Sequence, residues 1–321
     1  MNSIELRDPV SGSTARIAPH RGFNCHEFRA AVDGRSIDVI DADPEFPNGA
    51  GRPSGHGIPL LFPFPNRIRG GRYAWDGREY VIDPDEALND GRGNAIHGFC
   101  LDRPWRMTAQ SERVAIAEFQ LSRDAPDRIS FWPADFLIEV RYEIGPAALR
   151  ADVRIANPAD VPLPWGFGTH PYFRLPLGKE SDPARCAVQA DAAECWELEG
   201  ALPTGRRLPV PVEKDLRESE YVDVLTLDDV LTGLPEGAKT VQSRIVDEQA
   251  GVEIVQRADG IFRELVVYTP GGRNAVCLEP YTCVTDAVNL HARGIDAGWR
   301  VLPPGEEFRT WIEIRAGLVV A

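Results

Sequence analysis

From Phe136 to Ile155 the side chains switch between apolar and polar at almost every step, and few folds accept such a pattern. Phe136, Ile138, Val140, Tyr142 and Ile144 alternate with Leu137, Glu139, Arg141 and Glu143. After Gly145-Pro146 the rhythm resumes, with Leu149, Ala151, Val153 and Ile155 set against Arg150, Asp152 and Arg154. A period of two describes a strand with one buried face, because a helix would spread these residues around its axis. The intervening turn then predicts an antiparallel pair, apolar on one face and polar on the other. Further strands are expected at 3–7, 13–17, 27–32, 36–40, 252–256, 264–269, 274–279 and 309–315. In the stretch 73–82, Asp76-Gly77 separates two β-rich runs, the signature of a two-residue hairpin with a type I′ turn. No long helical period occurs, and only short helical turns are expected, near 126–131 and 285–290. With no interior linker, the reading is one domain over 1–321, an all-β, large antiparallel twisted β-sandwich.

Composition excludes several functions. The net charge of −14, with no long basic stretch, disfavours nucleic acid as a partner. No run approaches the ~18 apolar residues a membrane helix needs. Met1 to Asp8 contains no apolar segment of a secretory leader, so a soluble, cytoplasmic chain is expected. Six cysteines at 25, 100, 186, 195, 277 and 283 include no CxxC pair. That spacing predicts neither a disulfide framework nor a metal site, and nothing calls for a cofactor.

Four stretches carry candidate chemistry. In the segment 163–173, two glycines in three residues permit tight turning or close approach. Pro171 then holds His170 in extended backbone. His170 is a candidate proton donor or acceptor, or else a buried imidazole satisfied by a carbonyl. The run from Leu60 to Gly71 has three prolines and large apolar residues, which reads as a buried, rigid loop holding Asn66 and Arg67. His97 lies in a glycine-flanked loop, as a ligand-binding or a capping residue. In Ala275-Val276-Cys277-Leu278-Glu279 the alternation sets Ala275, Cys277 and Glu279 on one face. A carboxylate in that setting is desolvated and more basic, unless it points to water. There is no GxSxG elbow, phosphate-cradling glycine loop or HExxH.

Taken in order, Pro65-Asn66-Arg67-Ile68, Asn94-Ala95-Ile96-His97-Gly98-Phe99, Gly168-Thr169-His170-Pro171-Tyr172-Phe173, Cys277-Leu278-Glu279-Pro280-Tyr281 and Leu302-Pro303-Pro304-Gly305-Glu306 resemble the aldose 1-epimerase (galactose mutarotase-like) family. The resemblance runs from about 59 to 314 and is weakest across 177–225. It implies a large β-sandwich whose concave face binds a free aldose and interconverts its anomers. It also implies Glu279 as the base at the anomeric hydroxyl and His170 as the acid at the ring oxygen. On this view Glu279 sets the acidic limb of a bell-shaped pH profile and His170 the alkaline limb. Arg67, His97 and Asn66 are implied substrate contacts, as is Asp229, with Asp228 beside it as the alternative. Trp165, Tyr172 and Tyr281 are candidate sugar platforms. Thr169 and Arg174 stand where many members carry asparagine, a departure that bears on sugar preference. Two other readings remain open at this point. One is a hexose 6-phosphate epimerase using Arg69, Arg72, Arg92 or Arg103, and the other is a sugar-binding module without catalysis.

Overall fold

The alternating pair of strands forms the middle of a nine-stranded antiparallel sheet. In the computed structural model, which describes residues 3–234 and 237–319, Leu137–Gly145 pairs with Ala148–Ala156 along its whole length, Ile138 opposite Ile155 and Val140 opposite Val153. Glu307–Leu318 and Val252–Asp259 extend the sheet on one side, Val114–Gln120 and Arg106–Gln110 on the other. The expected hairpin is present, with Trp75 paired to Arg78 and both Asp76 (φ 48°) and Gly77 (φ 73°) left-handed, as a type I′ turn requires. The two expected helical turns are Pro126–Phe131 and Ala287–Ala292.

A second sheet of eight strands packs beneath the first. Its path runs from Leu202–Pro209 through Glu194–Glu199, Asp228–Thr232, Glu264–Tyr268 and Ala275–Tyr281 to Gly168–Thr169 and Leu60–Leu61, with Tyr172–Arg174 also paired to Ala275–Tyr281. Buried apolar residues of both sheets, among them Val140, Ile312 and Ile314 from the first and Val267, Val276 and Leu278 from the second, form one contiguous core. That core also takes in Leu6, Ile17 and Phe28 of a four-stranded N-terminal sheet. The chain is therefore layered sheet on sheet, the β-sandwich that the alternation implied. No helix among the described residues is long and apolar enough to cross a membrane.

The outer face of the second sheet, turned away from the first, is divided. At one end Trp196, Val230, Val266, Tyr281 and Leu290 make a smaller apolar cluster. At the other end the outward row is polar.

Candidate active site

That polar row is created by a failure of the β-ladder. Gly168 pairs with Tyr281 and Tyr172 pairs with Cys277, in one continuous register. Counting between those pairs sets Thr169 opposite Pro280, His170 opposite Glu279 and Pro171 opposite Leu278. Both prolines lack an amide hydrogen, so regular cross-strand bonding cannot persist there. Each proline directly follows a candidate proton-transfer residue. Buried Gln256 reaches across from the first sheet and donates to the Leu278 carbonyl at 2.8 Å. His170 is tied instead to the Pro59 carbonyl through its backbone amide, at 3.1 Å. The glycines beside it are needed for contact: a Cβ at Gly168 would lie 2.3 Å from the Tyr281 ring, and one at Gly166 2.3 Å from the Cys283 sulfur.

Directly opposed residues share a face, so the two side chains meet. His170 Nδ1 stands 3.4 Å from Glu279 Oε1, too far for a good hydrogen bond, and Nδ1 has no other partner. Glu279 is 1% exposed and His170 8%. Burial raises the Glu279 carboxyl well above its ordinary range, against the opposing effect of the Tyr281 hydroxyl, which donates to Oε2. Burial lowers His170 to about 3. Both shifts favour the neutral forms, so a proton shared by the pair is held on Glu279 rather than on His170. If this pair drives catalysis, His170 would set the acidic limb and Glu279 the alkaline one, the reverse of the expected order.

The remaining candidates divide. Tyr172 stacks on the His170 ring, with centroids 4.7 Å apart and planes 8° from parallel, and the Arg273 guanidinium lies over the Tyr172 ring at 4.5 Å. Tyr172 therefore fixes the imidazole rather than offering a free platform. Tyr281 is fully buried, and so is Trp165, which packs against Phe62 and Phe308 in the core. His97 stands edge-on to His170, with centroids 5.6 Å apart, and its buried Nδ1 has no partner. Burial lowers the His97 pKa well below the ordinary value, so it is a neutral group able to bond a hydroxyl. Arg67 pairs with Ile96 in a two-residue ladder beside His97. Its guanidinium is oriented by Asp90 (Nε to Oδ2, 2.9 Å) and by the Asn66 side-chain oxygen (Nη1 to Oδ1, 2.9 Å). Buried Asn66 is thus a support for Arg67.

Asp90 was not anticipated. Burial alone would raise its pKa, but hydrogen bonds from Asn94, the Arg92 and Asn94 amides and Arg67 lower it to about 2. Its place in a glycine-rich loop gave no sequence signal. Asp229 is corrected: it pairs with Val267 and thence with Leu278, on the inward row, and binds Lys214 at 2.8 Å. Asp228 pairs with Tyr268 and thence with Cys277, on the row of Glu279. Of the arginines considered for a phosphate, Arg103 is paired with Asp127 and Arg69 with Asp286. His170, brought across from a distant stretch, joins Cys277 and Glu279 of one strand, and ligand atoms of the three lie within 4.8 Å of one another.

The sequence model of a family described as aldose 1-epimerase matches residues 36–315. Two relatives in Escherichia coli (strain K12) match over most of their length. Uncharacterized protein YphB is 24% identical over 263 residues, 79% of this chain and 82% of that protein. Uncharacterized protein YihR is 28% identical over 264 residues, 82% of this chain and 80% of that one. A protein named aldose 1-epimerase from the same organism is 29% identical over 141 residues, 44% of this chain and 38% of its own. Among solved structures, a galactose mutarotase-like protein from Clostridium acetobutylicum superposes with a TM-score of 0.84 at 19% identity, covering 99% of both chains. That likeness bears on the fold alone.

Proposed function

The chain belongs to the aldose 1-epimerase family, and on that premise we propose that it is a mutarotase, interconverting the α and β anomers of a free hexose by acid–base ring opening. The observation that carries this reading is the opposed, buried pair His170 and Glu279, 3.4 Å apart. Two side chains whose environments separate their proton affinities suit a reaction that must take one proton and give another. Passage of the shared proton from Glu279 Oε1 to His170 Nδ1 gives the carboxylate–imidazolium form. The Tyr281 hydroxyl and the charge of Arg67 favour that carboxylate. Glu279 then accepts the proton of the anomeric hydroxyl while His170 protonates the ring oxygen. The bond between C1 and the ring oxygen breaks, and C1 becomes an aldehyde. Rotation about C1–C2 presents the other face, and the reverse transfers close the ring as the opposite anomer. Arg67 and neutral His97 hold the sugar oxygens. A module that only binds sugar has no use for this pair.

Glu279→Gln and His170→Asn should each lower kcat for mutarotation by about 10²–10⁴ and leave sugar binding largely intact. The double variant should lose far less than the product of the single losses, since the two groups act in one passage. Polarimetry over a panel of aldoses, with glucose 6-phosphate beside glucose, provides the measurement. Near wild-type turnover by Glu279→Gln on every sugar would sink the assignment.

A further inference from the structure

The buried pair has a third member that proton transfer does not use. Cys277 precedes Glu279 by two on the same strand and so shares its face, and its thiol is completely buried. One ligand atom each from His170, Cys277 and Glu279 lies within 4.8 Å of the other two. Zinc bonds of about 2.0–2.3 Å in a tetrahedron place ligand atoms about 3.3–3.6 Å apart. Nδ1 and Oε1, at 3.4 Å, already have that separation. Nδ1 is the telling atom. It belongs to a side chain nine-tenths buried, it has no hydrogen-bond partner, and it faces the Glu279 carboxylate. A buried polar atom without a partner is rare and calls for a reason.

We propose that the floor of this site is an inhibitory binding site for a thiophilic divalent cation, Zn²⁺ by its chemistry, held by His170 Nδ1, Cys277 Sγ and a Glu279 carboxylate oxygen. Thiolate, imidazole and carboxylate are the donors zinc prefers, and three protein ligands leave a fourth position for water. Binding displaces the thiol proton and the proton held by the His170–Glu279 pair. The two anionic ligands then balance the cation, so no net charge is buried. The metal takes no part in ring opening. It occupies the atoms that must exchange protons and so stops them, which makes the site a point of control by free zinc.

Metal binding stands apart from the epimerase reading, whereas the inhibitory effect rests on it, so binding is the primary readout. Chelator-treated full-length protein is titrated with Co²⁺, and thiolate-to-cobalt charge-transfer absorption in the near ultraviolet is followed. One equivalent should develop that band, Zn²⁺ should abolish it, and Zn²⁺ should slow mutarotation reversibly on chelation. Cys277→Ser should remove the band and weaken inhibition by on the order of 10²-fold, with circular dichroism reporting its fold. Cys277→Ala serves if the serine variant does not fold. His170→Asn should weaken cobalt binding with the thiol intact. A band that survives in the Cys277 variants, or no band in the wild type, overturns the proposal. A cobalt band in a protein that acts on no aldose would leave this site standing and sink the mutarotase reading instead.

Discussion

Between Leu137–Gly145 and Ala148–Ala156 every residue is paired, from Leu137 with Ala156 to Gly145 with Ala148. Along Ala275–Tyr281 the neighbouring strand stops at Thr169 and resumes at Tyr172. The first arrangement spends its side chains on packing, with Ile138, Val140 and Ile144 all fully buried among apolar neighbours. The second gives up its ladder between Thr169 and Tyr172 and opposes an imidazole to a carboxylate within the gap. Regular packing and the proposed reactive pair thus occupy different sheets, joined by Gln256, which rises from the regular sheet to the Leu278 carbonyl of the interrupted one.

Substitutions can break that division or sharpen it. The largest expected effect is in the regular sheet. Ile138→Ala removes a fully buried side chain and should cost about 2–5 kcal/mol of unfolding free energy. Denaturant unfolding should record that loss while kcat of the folded protein stays near the wild-type value. A large fall in kcat would show that the two sheets are not separable.

A smaller effect is expected from Tyr281→Phe in the interrupted sheet. It deletes the donor to Glu279 Oε2, and a hydrogen bond to a charged group contributes about 1.5–3 kcal/mol. Losing it disfavours the carboxylate, so the Glu279 pKa rises further. Turnover at neutral pH should fall roughly tenfold to a hundredfold, and the alkaline limb should move to higher pH. The acidic limb, set by His170 with its pKa lowered to about 3, should remain in place. An alkaline limb that moves down or stays fixed would mean that Glu279 does not set it.

The smallest effect separates the two adjacent aspartates. The negative charge of Asp228 raises the Glu279 pKa, so Asp228→Asn should move the alkaline limb to lower pH. Asp229→Asn, on the opposite row and bound to Lys214, should leave the limb where it was. Equal responses from the two would contradict the row assignment.

Several of these features were legible in the residues. Alternation located the Leu137–Ala156 pair, and Asp76-Gly77 located the hairpin, because both signals are local. The run Leu202–Pro209 escaped notice. Its strand is an edge one, exposed over its last four residues, and it tolerates two prolines and a glycine that break any alternation. The spacing of Ala275, Cys277 and Glu279 also set the face of the carboxylate correctly. Asp90 remained hidden because its value depends on Arg67, brought beside it by a ladder of two residues.

What the sequence determined by itself is whatever depends on the next few residues: the period of two, the I′ turn, the prolines that remove a backbone hydrogen-bond donor at 171 and 280, and the motifs that mark the family. The tertiary structure decided what depends on register and burial. Register chose Asp228 over Asp229 and set His170 opposite Glu279. Burial reversed the expected order in which those two groups titrate, since removing water penalises whichever form is charged. Proximity brought His170 to Cys277 and Glu279, because strands distant in sequence become neighbours only when the sheet closes.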